Sequence, residues 1–163
     1  MKIELGYETV IETATQEDID YVEEHFREGE RQEHQVFGGK RTRLSDFETC
    51  WTVRHKGDII GYFGIAIPLE ATVHHTGRWL CYMSCANADK YKYMYVKQSR
   101  EVMRKVIEGL PEHITEFRSM PAERYEKSVK WHERVLRMHR MTTVEYNGER
   151  FVIFGISRKE AMA

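Results

Sequence analysis

The stretch RWLCYMSCA, residues 78–86, followed by KYKYMY, residues 90–95, joins an apolar run of strand length to a helical pattern. The run is short and mostly apolar, as in a buried strand, and residues 93–110 place apolar side chains at helical spacing. A strand-to-helix junction can hold an anion, but glycine normally provides the room for its close approach. KYKYMY has a tyrosine at every second position instead.

The segments before this junction indicate one strand, one or two helices and a hairpin. Residues 2–13 alternate well enough for a single first strand, and Thr15 with Asp18 nearly matches a capping box at a helix start. A second short helix is expected to end at Gly38 and Gly39. CWTVRH and IIGYFGIAIP then surround a glycine turn and predict a hairpin, in which Gly61 and Gly64 indicate a bulge or a close neighbour.

The segments after the junction complete an α/β pattern. HITEFRS predicts a short strand, and Ser119 with Pro121 predicts the start of the last helix. The turn Asn147-Gly148 between MTTVEY and ERFVIFGIS is the strongest hairpin signal in the chain. We therefore predict one α/β domain over residues 1–163, of order β-α-(α)-β-β-β-α-β-α-β-β, with a mixed, partly antiparallel sheet.

Charge is unevenly distributed along the 163 residues. The formal net charge is −1, yet residues 1–40 carry a balance of −7 and residues 90–140 a balance of +6. Two solvated faces that attract each other within the fold are the expected result. Because the net charge of the chain is close to zero, the sequence argues against nucleic acid as a partner. The basic stripe of the last helix is interrupted by glutamates and equally fits an acidic protein partner. The stripe consists of Lys127, Lys130, Arg134 and Arg137.

Cysteine usage and hydropathy point to the cytoplasm. Cys81 and Cys85, four residues apart on a predicted strand, would be about 13 Å apart and unable to pair. Three cysteines favour a reducing compartment, and neither a membrane-spanning run nor a signal peptide is expected. No metal site is expected, because neither the His74-His75 pair nor the pair His132 and His139 has a third ligand at suitable spacing.

The element order resembles that of the GNAT-type N-acetyltransferases. IETATQEDID, residues 11–20, resembles the first strand and helix start of that family, and DIIGYFGIAIP, residues 58–68, resembles its third strand. The closing hairpin is similar too. The end of the chain, residues 130–154, also resembles degenerate GNAT-like proteins of tailed phages, some of them virion components.

The resemblance implies that acetyl-CoA binds where the fourth strand meets the following helix. In the family a glycine-rich loop holds the coenzyme A pyrophosphate there; in this chain Lys90 and Lys92 supply charge, and tyrosines stand at the glycine positions. Side chains of that size would partly fill the approach. The cofactor-binding residues implied are Met83, Cys85, Lys90, Tyr91, Lys92, Tyr93, Met94 and Tyr95.

Acyl transfer also needs a base, an acid and donors to an oxyanion. By position, Glu48 is the expected base, Tyr82 or Tyr91 the acid, and the backbone from Met83 to Cys85 the donor. The family's tyrosine near the end of the last helix is absent, and His132 is the nearest titratable substitute.

Two functions therefore stay open from the sequence. The first is transfer of an acetyl group from acetyl-CoA to a small-molecule or protein amine in the cytoplasm. The second is a non-catalytic GNAT-fold protein that has lost coenzyme A binding and contacts a protein partner, in the host cytoplasm or a virion if the chain is phage-encoded.

Overall fold

A computed structural model describes residues 2–68 and 75–163. The elements in chain order are β1 (Lys2–Gly6), β2 (Thr9–Thr13), α1 (Gln16–Glu24), α2 (Glu28–Val36), β3 (Thr49–His55), β4 (Asp58–Ala66), β5 (Gly77–Ser84), α3 (Asn87–Lys90), α4 (Lys92–Glu108), β6 (Glu116–Ser119), α5 (Glu126–Arg134), β7 (His139–Tyr146), β8 (Glu149–Ser157) and α6 (Arg158–Met162).

The eight strands form one mixed sheet of order β1-β2-β3-β4-β5-β6-β8-β7. All neighbouring strands are antiparallel except β5 and β6, which run parallel. Parallel neighbours need a long crossover, and α3 with α4 provides it. The predicted α/β class and mixed sheet are confirmed.

Helices cover both faces of this sheet. On one face, α4 buries Val102, Met103 and Val106 against the central strands, and Val129 of α5 joins the same core. On the other face, α1 buries Ile19 and Val22 against a smaller cluster. The capping box expected at Thr15 and Asp18 starts α1. Within the described residues, no helix has the length and apolar character needed to cross a membrane.

The prediction of a single strand over residues 2–13 was wrong. Those residues form two strands, β1 and β2, which pair antiparallel. The chain reverses at Gly6, Tyr7 and Glu8, all of which have positive φ angles. Polar and apolar residues alternate in the same way in one long strand as in two short ones. Since Tyr7-Glu8 is also not a typical hairpin dipeptide, the sequence pattern did not reveal the turn.

Helix α5, which the sequence predicted as the last helix, starts later than Ser119 and Pro121 indicated. Backbone hydrogen bonds tie the segment after β6 to β8: Val152 N–H donates to Pro121 O at 3.0 Å, and Glu123 N–H donates to Arg150 O at 2.8 Å. Ala122 therefore forms a bridge with Phe151 of β8, a turn follows, and α5 begins at Glu126.

Both predicted hairpin turns are present. Lys56 and Gly57, like Asn147 and Gly148, have positive φ at both central positions, as a type I′ turn requires. The bulge expected in β4 lies beside Gly61, where the register shifts against β3.

Candidate active site

A gap in the sheet between β5 and β6 is the centre of the candidate site. The two strands pair over only three residues, Gly77 to Trp79 with Glu116 to Arg118. Strand β5 continues to Ser84 beside β4. Strand β6 ends at Ser119 and pairs with β8 on its other side. The last five residues of β5 therefore have no ladder partner on the β6 side in the described structure.

A cleft of about 720 Å³ opens at this gap. Its walls come from α2, from β5, from the start of α4 and from α5, so it is bounded by elements on both faces of the sheet. Volumes of roughly 300 to 1,000 Å³ are typical of pockets for small molecules and cofactors. The cleft is thus large enough for a substantial ligand.

Opposite charges line opposite walls of the cleft. The α2 wall carries Glu28, Glu30 and Glu33, whereas α5 contributes Lys127, Lys130 and Arg134. Two charges depart from this division. Arg27 pairs with Glu30 beside α2, and Asp89 precedes Lys92 at the start of α4. The basic wall can attract an anion and the acidic wall a cation.

Three aromatic side chains lie between these walls. The rings of Tyr82 and Trp131 have centroids 5.2 Å apart, and Tyr95 stacks on Trp131 at 5.9 Å. The Tyr95 hydroxyl is 2.8 Å from Ser84 Oγ, so this ring is fixed across the gap. Tyr82 makes no hydrogen bond through its hydroxyl to the described part of the chain, and burial raises its pKa well above the usual value. Tyr82 therefore keeps its proton at neutral pH.

Only some of the KYKYMY side chains lie at the cleft. Lys92 and Tyr95 line it. Lys90 and Tyr91 turn toward β4 instead, where Tyr91 donates to Asp58 at 2.7 Å and the Lys90 ammonium is 3.4 Å from the same carboxylate. Tyr93 is exposed to solvent.

The short helix α3 explains this division, because it turns the chain before α4 starts. Met94, one residue before Tyr95, lies with Tyr91 in a separate small cavity beneath α4. The large tyrosines at 91 and 93 therefore leave the cleft open, whereas Tyr95 occupies part of it.

The structure does not place Met83 and Cys85 as donors in the gap. Cys85 N–H donates to Ile60 O at 3.0 Å, so it is not available to an oxyanion. Met83 is paired with Tyr62 in the ladder between β4 and β5, and its side chain packs with the α1 cluster on the opposite face from α4. Neither residue lines the cleft.

Glu48 lies away from the cleft. Its carboxylate accepts a hydrogen bond of 2.6 Å from Nε of Arg78, a buried residue on β5 at the paired end of β5 and β6. A carboxylate that is paired with a buried guanidinium is held in place. The sequence-based choice of Glu48 as the base is therefore not supported by its position.

His132 lines the cleft, but both of its ring nitrogens have partners. Nδ1 lies 2.7 Å from the Ser128 carbonyl, which can only accept, so Nδ1 carries the proton. Nε2, at 2.8 Å, then accepts from the Ser119 hydroxyl. Burial lowers the pKa of His132 to about 4. A neutral, doubly bonded imidazole fixes α5 against β6 rather than exchanging protons with a ligand.

Glu33 is one of the cleft residues that sequence analysis missed. Its carboxylate accepts a hydrogen bond of 3.0 Å from Ala122 N–H, just after β6. Burial raises its pKa to about 7, and this hydrogen bond offsets part of the shift. Nothing in the polar stretch EGERQEHQV distinguishes Glu33, because its burial depends on the docking of α2 beside residues 122–125.

No metal centre is present in the described ranges, where no three histidine, cysteine or acidic side chains are grouped to hold an ion. His74 lies outside them.

Several acetyltransferases of known structure share this architecture. Spermidine N-acetyltransferase from Vibrio cholerae, solved with CoA and spermine, matches with a TM-score of 0.68 at 8% identity, over 96% of this chain and 99% of that one. RimL, a ribosomal L7/L12 alpha-N-protein acetyltransferase solved with CoA, gives 0.68 at 8% identity, over 96% and 98%. Aminoglycoside acetyltransferase AAC(6')-Ib, solved with coenzyme A and kanamycin, gives 0.65 at 14% identity, over 93% and 96%.

No protein-family model matches the sequence, and no curated protein matches it either. The similarity therefore rests on structure. A GNAT acetyltransferase from Bacillus anthracis also matches, with a TM-score of 0.68 at 10% identity over 98% of this chain. The chain has the fold of the GNAT acetyltransferases.

Proposed function

We propose that this protein transfers an acetyl group from acetyl-CoA to an amine in the cytoplasm. The observation that carries the proposal is the cleft at the unpaired part of β5, with the start of α4 and the cations of α5 along one wall. Structural neighbours that bind CoA or acetyl-CoA share the fold and support this choice of acyl donor.

The residues present fit the anionic part of this donor. Lys92, Lys127, Lys130 and Arg134 line the cleft, and cations bind phosphates through charge-assisted hydrogen bonds. The first backbone N–H groups of α4 add a favourable helix dipole at the same wall. The phosphates therefore lie toward α4 and α5 in the proposed complex, with the thioester in the gap.

Tyr82 is the proposed acid. Tyr82 lines the cleft, and its hydroxyl keeps its proton at neutral pH, so it can donate to the leaving thiolate. His132 is proposed as a positioning residue, because its two hydrogen bonds fix α5.

Isothermal titration with acetyl-CoA and free coenzyme A tests this function. Saturable binding is expected, and Lys92→Glu should weaken it by about tenfold or more, since a favourable charge at the cleft is reversed. Lys90→Glu is the matched control, because Lys90 carries the same charge two residues away but faces Asp58. Absence of binding to the wild-type protein would contradict the proposal.

One observation favours a second function. Tyr95 occupies part of the gap and is fixed there by Ser84 and Trp131, which favours a GNAT-fold protein that binds a protein partner without coenzyme A. In that case Tyr95→Ala, which empties this space, should create coenzyme A binding that the wild-type protein lacks.

A further inference from the structure

Glu33 belongs to α2 and lines the cleft at the gap between β5 and β6. Ala122 N–H, just past the end of β6, donates to its carboxylate. On the β5 side, burial together with the nearby Glu33 carboxylate raises the pKa of the Cys81 thiol to about 12. Cys81 belongs to the α1 face of the sheet, whereas Tyr82 packs on the α4 face. Glu33 and Tyr82 therefore approach the same gap from opposite faces.

From this arrangement we propose that Glu33 binds and deprotonates the acceptor, and that the acceptor is a primary alkylammonium entering from the acidic α2 wall. This inference rests on the proposed function and adds to it the identity of the base and the chemical class of the acceptor. The donor thioester would reach the gap from the α4 and α5 side, so the two substrates would meet across the sheet.

The proton inventory of the step balances. The ammonium gives one proton to Glu33, and the neutral nitrogen then attacks the thioester carbonyl carbon. A carbon–nitrogen bond forms and the carbon–sulfur bond breaks. The thiolate takes the Tyr82 proton, and the nitrogen returns its second proton to Tyr82. The products are the amide, the free thiol and one proton, which Glu33 releases to solvent.

The surroundings of Glu33 suit a base that works near neutral pH. Its pKa is raised to about 7, chiefly by burial and also by Glu30 on α2 and Glu149 on β8, while the Ala122 N–H and Arg124, before α5, oppose the shift. Tyr125 and the Cys81 thiol also interact with it. A base with a pKa close to the working pH is both largely ionised and basic enough to take the proton.

The test compares Glu33→Gln with wild type. Glutamine keeps the size of the side chain and an oxygen that can accept from Ala122 N–H, but it cannot take a proton. Thiol release from acetyl-CoA is measured with spermine and with kanamycin as acceptors, from about pH 5 to pH 9. We expect kcat/KM of the wild type to rise with pH through about 7, and Glu33→Gln to lose this rise together with about a hundredfold in rate at neutral pH.

The outcomes separate this inference from the proposed function. Failure of acetyl-CoA to bind wild type defeats the proposed function itself. If acetyl-CoA binds, Glu33→Gln should bind it as tightly as wild type does, because Glu33 lies on the wall away from the phosphates. Transfer with an unchanged pH profile in Glu33→Gln, or loss of the profile in Glu48→Gln instead, would overturn the inference. So would bound acetyl-CoA with transfer to neither amine.

Discussion

Glu48 and Glu33 have the same side chain in different surroundings. Glu48 accepts from a buried arginine outside the cleft, whereas Glu33 lines the cleft with a backbone N–H as its hydrogen-bond donor. Burial raises the pKa of Glu33 to about 7. Since both residues have the same side chain, only the structure distinguishes a carboxylate in an ion pair from a carboxyl whose pKa lies near neutrality.

His132 should make stability depend on pH. Its pKa falls from 6.5 to about 4 on folding, so between these values the unfolded chain binds more protons and acid favours unfolding. The stabilisation is complete above pH 6.5 and is lost as the pH falls toward 4. We expect this residue to account for about 3 kcal/mol of the decrease in the free energy of unfolding.

Urea unfolding of wild type and His132→Gln at several pH values measures this effect. The variant should be less stable at pH 7, because the bond from Ser119 changes, but its stability should fall less between pH 6.5 and 4. Equal slopes in both proteins would mean that another group causes the acid sensitivity. Glu33 does not mimic the effect, since a carboxyl with a raised pKa loses stabilisation as the pH rises.

At the scale of elements, the junction between β5 and α4 differs from a glycine-rich anion loop. Helix α3 separates the strand from α4, and Tyr91 both caps α4 and bonds to Asp58. The tyrosines at 91 and 93 thus point away from the cleft without needing glycine. The spacing of KYKYMY did not reveal this, because the direction of each side chain depends on where α3 ends.

Strand β4 packs closely on β5 at Gly61. A Cβ added there would overlap the Met83 carbonyl, which is backbone and cannot rotate away. Gly61→Ala should therefore lower the free energy of unfolding by about 2 kcal/mol and the Tm by about 4–8 °C. Gly109→Ala is the control, because its added methyl would make only ordinary contacts at about 3.6 Å. Equal Tm values for the two variants in calorimetry would show that β4 and β5 can separate at little cost.

At the scale of the whole molecule, the charge asymmetry along the sequence has a structural result. The acidic first forty residues supply the α2 wall of the cleft, and the basic segment 90–140 supplies the α4 and α5 wall. The expectation that the two faces attract each other is too simple, because the cleft keeps much of this charge apart. The protein therefore has one acidic wall and one basic wall in the same cleft.

Coenzyme A binding should weaken as salt increases. The cations of α5 are largely exposed, and the screening length falls from about 10 Å at 0.1 M salt to about 3 Å at 1 M. Titrations across this range should give a Kd that rises several-fold. Lys127→Gln with Lys130→Gln should bind more weakly and respond less to salt. A Kd independent of salt would place the phosphates away from α5.

The sequence alone determined the elements whose signals are local. The capping box at Thr15, the Asn147-Gly148 turn and the helical spacing that ends near Leu110 each depend on neighbouring residues, and each element is present. The mixed sheet followed from their order. The β1–β2 turn and the late start of α5 did not, because uncommon turn residues and hydrogen bonds to β8 decide them.

Only the tertiary structure decided the composition of the site. Tyr82, Lys92, Tyr95 and His132 are among the residues that the sequence selected and the fold places at the cleft, while Glu48, Lys90 and Tyr91 face elsewhere. Glu33 reaches the gap because α2 docks beside a segment 89 residues further along the chain. Contacts over such distances depend on packing, which no local pattern of residues encodes.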